Sequence, residues 1–190
     1  MTKDRLREQF LLKRKKLSNL QEKSRAISQQ FFKFFDLSEI KRLHIFLPIL
    51  RQNEINTWFI VDEIRQNYSH IIPIVSRSKF ETCSMESYVL DSDTKIVEND
   101  WGIPEPIHAI KCPDDTIDMV LIPLLCFDRQ GFRVGYGKGF YDRFLANCRE
   151  DIIKVGLSLF ESVDEIDDVD EYDVRMDFCV MSDRVLLFNN

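Results

Sequence analysis

Histidine is scarce in this sequence, three residues in 190. His44, His70 and His108 stand at no spacing that would let them share a metal or a proton, and His44 lies inside an apolar run, where a packed imidazole is expected rather than a general base. Cysteine is no better organised. Cys83, Cys112, Cys126, Cys148 and Cys179 include no Cys-x-x-Cys pair and no zinc-ligand spacing. A disulfide framework and a structural zinc are therefore set aside, and reduced thiols in a cytoplasmic protein are expected. No apolar run approaches the roughly 20 residues that span a bilayer, and the charged opening of the chain lacks a secretory pattern. Positive charge is also in deficit: 26 Lys and Arg face 32 Asp and Glu, a net charge of −6. That balance argues against a general nucleic-acid binder. No repeat, linker or low-complexity tract interrupts the chain. The expectation is one domain over residues 1–190, acting as a monomer without nucleic-acid or membrane partners.

Glycine is sparse too, with six residues, yet four of them, Gly131, Gly135, Gly137 and Gly139, crowd into one stretch. Three alternate around Tyr136 and Lys138, a spacing that lets the backbone take positive φ and approach a ligand closely. Arg133, Lys138 and Arg143 set cations beside those amides. Upstream, Met119 to Leu125 reads as a buried strand; downstream, Tyr141 to Cys148 reads as a helix start. Strand, basic glycine-rich loop and helix together point to an anion site, phosphate above all. The loop is neither a P-loop, since Gly139 follows Lys138, nor a dinucleotide fingerprint. A plain surface turn with solvated cations is the competing reading.

The remaining pattern alternates strands with helices. Helices are predicted from Thr2 to about Leu17, with Leu6, Phe10, Leu12 and Leu17 recurring, and from about Asn19 to Phe35, with Ile27, Phe31, Phe34 and Phe35 as the buried stripe. Lys3, Arg5 and Arg7 open the first helix against its dipole, an arrangement that a need for positive charge would explain. Arg42 to Leu47, Ile71 to Val75, Met119 to Leu125, Ile153 to Leu159 and Asp177 to Val180 read as strands, and Phe80 to Leu90 as a strand or hairpin. A helix capped by Asn56 or Thr57 runs to about Tyr68. The fold class is α/β, a three-layer domain with a largely parallel central sheet flanked by helices. Ligands of such sheets bind at the carboxyl ends of the strands. There Glu54, Arg133, Lys138, Asp142 and Asp173 could meet in one cleft suited to a nucleotide with magnesium. The residues alone lead to a phosphate or nucleotide enzyme.

The run from Leu124 to Leu145 closely resembles the signature of the 5-formyltetrahydrofolate cyclo-ligase family. Lys3-Asp4-Arg5-Leu6-Arg7, the segment from Leu47-Pro48 through Glu54 to Thr57, and Trp101-Gly102-Ile103-Pro104-Glu105-Pro106 resemble further stretches of that family in the same order. The resemblance implies ATP-dependent, Mg2+-dependent cyclisation of 5-formyltetrahydrofolate to 5,10-methenyltetrahydrofolate, releasing ADP and phosphate. It further implies ATP contacts from Lys3, Asp4, Arg5, Leu6 and Arg7 and from Arg133, Val134, Gly135, Tyr136, Gly137, Lys138, Gly139, Phe140 and Tyr141. Lys138 and Arg133 would be catalytic, and Ile49, Glu54, Tyr136 and Phe140 would border the reduced folate. Asp142 and Asp173 would hold magnesium, with Asp170 and Glu171 as rivals of Asp173. No nucleophilic Ser or Cys is required, and Cys126 is expected to pack as a small hydrophobe. A binding protein of the same fold without turnover, and a sugar-phosphate isomerase or acyl-transfer enzyme, are the other classes weighed.

Overall fold

The computed structural model describes residues 1–188. In chain order it contains α1 (Lys3–Lys15), α2 (Leu20–Phe34), β1 (Arg42–His44), α3 (Trp58–Asn67), β2 (Ile72–Lys79), β3 (Ser84–Val89), β4 (Lys95–Glu98), β5 (Pro104–Ile107) and β6 (Lys111–Cys112). There follow β7 (Met119–Pro123), β8 (Cys126–Phe127), β9 (Arg133–Val134), α4 (Phe140–Asn147), β10 (Ile153–Leu157), β11 (Phe178–Val180) and β12 (Val185–Leu187). Eight strands form the main sheet in the order β12-β11-β10-β7-β1-β2-β3-β6. The five inner strands from β11 to β2 pair in parallel, and the outer strands β12, β3 and β6 pair antiparallel. Two small antiparallel ribbons, β4-β5 and β8-β9, stand apart from it.

β7 shows why three layers form. Its residues are apolar in succession rather than alternating, as a strand covered on both faces requires. Met119 and Leu121 enter one core, and Val120 and Ile122 the other. The first core takes Ile27 and Phe31 of α2 with Ile60, Val61 and Ile64 of α3; the second takes Phe144 and Leu145 of α4. The α/β, largely parallel, helix-flanked sheet expected from the sequence is what the structure contains. A third cluster, Leu6 and Phe10 against Leu125, Cys126, Val134 and Ile166, docks α1 across the β8-β9 ribbon.

Several local expectations need correction. Leu12 is 53% exposed, whereas Arg14 on the same helix is 4% exposed. Phe34 does not join the buried stripe of α2; it stands half exposed, its ring edge-on to Phe35 and Phe178. Thr2 occupies the cap position of α1 without a side-chain cap bond. Thr57 likewise leaves α3 uncapped, because its hydroxyl donates instead to the Phe46 carbonyl. Asn56 Oδ1 accepts the Trp58 amide at 3.3 Å in its place. β1 ends at His44 rather than Leu47, and β2 continues to Lys79 to pair with β3. The cations that open α1 are offset by the acidic segment beyond β10. The Lys3 amide donates to Asp168 Oδ1 at 2.7 Å, and the Lys3 ammonium pairs with Asp173 and, at 3.6 Å, with Asp170.

Candidate active site

The segments leaving the carboxyl ends of β1 and β7 face each other across a cavity of about 1000 Å3. Its upper wall is the glycine-rich loop, which the β8-β9 ribbon launches. The buried Asp128 shapes that ribbon: its Oδ1 accepts the Gln130 and Phe132 amides at 2.9 and 3.0 Å. Two loop glycines are required by geometry. Gly137 has φ +85°, and a β-carbon there would lie 3.0 Å from the Arg7 guanidinium carbon. Gly139 has φ +66° and forms the cap position of α4, where a side chain would meet Arg143. An L-residue with a side chain is strained at both positions. Arg7 fastens the loop to α1 by donating to the Gly135 carbonyl at 3.0 Å.

The cations around the cavity differ in how they are held. Arg133 is buried; its guanidinium donates to Asp142 Oδ1 at 2.7 Å and to the Val174 carbonyl. Asp142 Oδ1 also accepts the Val174 amide at 3.2 Å. Arg7 pairs with Asp4, and Lys3 with Asp173. Burial works against the Lys3 charge, but the carboxylates of Asp173, Asp170 and Asp168 outweigh it and hold the ammonium above its ordinary pKa. Lys138 is different. It is exposed, and among the described residues its Nζ enters no hydrogen bond or ion pair, while its carbonyl accepts Arg143 Nη1 at 2.9 Å.

A buried acid and a group of rings line the same cavity. Glu54 is 4% exposed; its Oε2 accepts the Ile49 amide and its Oε1 accepts the Tyr136 hydroxyl, both at 2.7 Å. Burial pushes the Glu54 carboxyl above the usual carboxylate range, an effect reduced by those two donors and by the nearby Arg14 charge. Phe80 and Trp101 stack with ring centres 3.8 Å apart, and Phe140 meets Phe80 edge-on at 5.3 Å. A flat, partly polar ring system has a surface to lie against here. His44 is fully buried, with Nε2 2.6 Å from Ser76 Oγ. Burial lowers its pKa to about 3, so the ring is neutral at physiological pH. Cys126 is buried with a thiol pushed up to about 12 by burial, and no thiolate is available for nucleophilic chemistry.

Of the residues singled out in the sequence, Lys3, Arg7, Ile49, Glu54, Asp173 and the run from Arg133 to Asp142 border the cavity. Asp4, Arg5 and Leu6 do not: Asp4 reaches Arg7 from the exposed face, Arg5 is exposed, and Leu6 is buried in the third cluster. Asp170 and Glu171 border the cavity beside Asp173, so proximity alone does not rank the three. Trp101 and Phe80 went unnoticed as a wall because their stacking joins the turn after β2 to the turn before β5. Arg14 went unnoticed because a charged residue near a helix end reads as solvated. Among the described residues no group of three or more His, Cys, Asp or Glu is arranged to hold a metal. Asp142 and Asp173 both border the cavity, each already beside a cation. That donor set suits a magnesium ion that brings its own phosphate oxygens and waters.

Comparison with known proteins identifies the family. The sequence profile of the 5-formyltetrahydrofolate cyclo-ligase family matches residues 1–182. The mouse 5-formyltetrahydrofolate cyclo-ligase is 30% identical over 155 residues, covering 75% of this chain and 74% of that protein. The enzyme of the same name from Mycoplasma pneumoniae is 27% identical over 190 residues, covering 95% and 98%. Among solved structures, the 5,10-methenyltetrahydrofolate synthetase of Aquifex aeolicus superposes with a TM-score of 0.82 at 25% identity, covering all of this chain and 94% of that one. The synthetase of Mycoplasma pneumoniae superposes with a TM-score of 0.75, also at 25% identity, covering 96% of this chain and all of the other. With its whole described fold and nearly its whole sequence matched, the chain belongs to the 5-formyltetrahydrofolate cyclo-ligase family of ligases.

Proposed function

We propose that this protein catalyses the ATP- and Mg2+-dependent closure of 5-formyltetrahydrofolate to 5,10-methenyltetrahydrofolate. The observation that carries this reading is one cavity with two chemically different sets of lining residues: a glycine-rich loop with the exposed Lys138, and the buried Glu54 with a group of rings. The first suits a polyphosphate and the second a pterin, whose donor-rich edge a buried carboxylate can accept.

The formyl oxygen is a poor leaving group until it is phosphorylated. In the reaction proposed, that oxygen forms a bond to the γ-phosphorus as the bond to ADP breaks. The second folate nitrogen then attacks the formyl carbon and gives up its proton, and phosphate leaves with the C–O electron pair. The protein's contribution is alignment and charge stabilisation. Lys138 and Arg133 would offset charge on the transferring phosphate, and Lys3 and Arg7 would hold the rest of the polyphosphate. Glu54 would orient the pterin. Asp142 and Asp173 would hold magnesium, which would supply charge neutralisation on the phosphates. Five free cysteines suit a reducing compartment, and we place the enzyme in the cytoplasm, acting on reduced folate.

The test is to mix protein, Mg-ATP and 5-formyltetrahydrofolate, then follow methenyl absorbance and ADP release together. One ADP per methenyl group is expected. Methenyl formation without ADP, or ADP release that ignores the folate, would overturn the reading.

A further inference from the structure

Helix α1 sends one more charge toward the cavity. Arg14 is 4% exposed, and its Nη2 donates to the Tyr136 hydroxyl. That hydroxyl in turn donates to Glu54 Oε1 at 2.7 Å. The Arg14 guanidinium carbon lies 5.4 Å from the centre of the Tyr136 ring. A second tie joins the same segments: the Arg14 carbonyl accepts Asn53 Nδ2 at 3.2 Å, and Asn53, in a left-handed conformation at φ +51°, directly precedes Glu54. Among the described residues Arg14 Nε is buried without a hydrogen-bond partner, a placement that costs free energy and that packing alone gives no reason to keep.

A phenolic hydroxyl has one proton to give. Because an arginine can only donate, a guanidinium on the tyrosine oxygen leaves that proton to the carboxylate. The direction of the chain Arg14 to Tyr136 to Glu54 is thereby fixed. Tyr136 is a loop residue, 41% exposed as a whole, between Gly135 and Gly137, where the backbone is least restrained. Its hydroxyl is the point at which the loop is anchored to the Glu54 wall.

We propose that Arg14 is a positioning residue: by donating to the Tyr136 hydroxyl it commits that proton to Glu54 and sets the glycine-rich loop at the distance from Glu54 that 5-formyltetrahydrofolate requires. The inference rests on the folate assignment above. It predicts an effect on folate affinity that passes through Tyr136.

The experiment is a double-mutant cycle on Arg14→Met and Tyr136→Phe, with Arg14→Lys as the conservative variant. The dissociation constant for 5-formyltetrahydrofolate is measured by calorimetry, with Mg-ATP binding and melting temperature alongside. Arg14→Met should weaken folate binding about tenfold, the loss expected for one charge-assisted hydrogen bond, and weaken Mg-ATP binding clearly less. Arg14→Lys should recover most of the loss. In the Tyr136→Phe background Arg14→Met should have little further effect. Equal losses with and without the tyrosine hydroxyl, or parallel losses for both ligands, would overturn the linkage. Should Arg14→Met not fold, Arg14→Gln completes the cycle. Wild-type binding of the folate without turnover would refute the proposed reaction and leave this linkage standing, whereas absence of folate binding would refute both.

Discussion

Replacing Lys138 by Ala separates chemistry from folding more cleanly than any other change in this cavity. Its ammonium is exposed and makes no hydrogen bond or ion pair among the described residues, so its loss removes nothing that holds the folded chain. Exposed substitutions of this kind shift stability by about 0.5 kcal/mol or less. In a chain of this size that is about 2 °C or less in melting temperature. The effect on turnover should be large, because the side chain is left free to meet charge that develops on the transferring phosphate. Removing one such preorganised charge costs about a hundredfold or more in kcat. If the interaction exists only in the transition state, kcat and kcat/KM should fall together. Arg133→Met is the contrasting control. Arg133 is buried against Asp142, so its removal strands a carboxylate and should lower the melting temperature as well as activity. Steady-state rates and thermal melts on both variants decide the matter. Near wild-type kcat in a folded Lys138→Ala protein would refute the assignment. A fall of many degrees in its melting temperature would show a structural role that the geometry does not contain.

In a magnesium titration of initial rate at saturating ATP, Asp142→Asn and Asp173→Asn should each shift the curve to higher metal, and Asp170→Asn and Glu171→Gln much less; a shift from Asp170 or Glu171 alone would reassign the second carboxylate. Glu54 has a pKa raised by burial above its ordinary 4.5, so its folded state favours the neutral acid, and the stability it confers is present below pH 4.5 and lost as pH rises through the raised value. The melting temperature of Glu54→Gln relative to wild type should therefore improve as pH rises above 4.5, and a flat difference would refute the burial argument. His44 has the opposite sign: with a pKa lowered from 6.5 to about 3 by burial, it contributes stability above pH 6.5 that is lost as pH falls toward 3. Acid melts of His44→Gln should be flatter over that window than those of the wild type.

The inner strands and the anion loop were legible because their signals are local. β7 is a continuous apolar run, and the glycines declare a backbone need that no neighbour can override. Features made by distant residues were not legible. The two-residue strands β8 and β9 are too short for any periodicity, and they exist because Asp128 organises the turn between them. The β4-β5 ribbon carries Pro104 and Pro106, which argue against a strand unless it lies at an edge. Phe34 is read as buried because side-chain type alone is available to decide, and tertiary contacts leave it half exposed; the same contacts bury Arg14, which no local signal marks. At the site, the cations were visible in the sequence, but the acids that hold them were ambiguous. An acidic run offers several equivalent carboxylates until folding sets Asp173 nearest the Lys3 ammonium, with Asp170 behind it.

The order of the strands also bears on how a growing chain reaches this fold. β1 is completed by residue 44, yet one of its two neighbours, β7, begins only at Met119. While the chain is being synthesised, β1 and β2 can pair early, but the other side of β1 keeps open backbone donors and acceptors. The apolar residues of α2 and α3 that lie over β7 in the finished protein wait with it. Synthesis at about 5–20 residues per second leaves that edge open for several seconds. A pause between β2 and β7 lengthens the interval in which two nascent chains can join edge to edge, and faster passage through those codons shortens it.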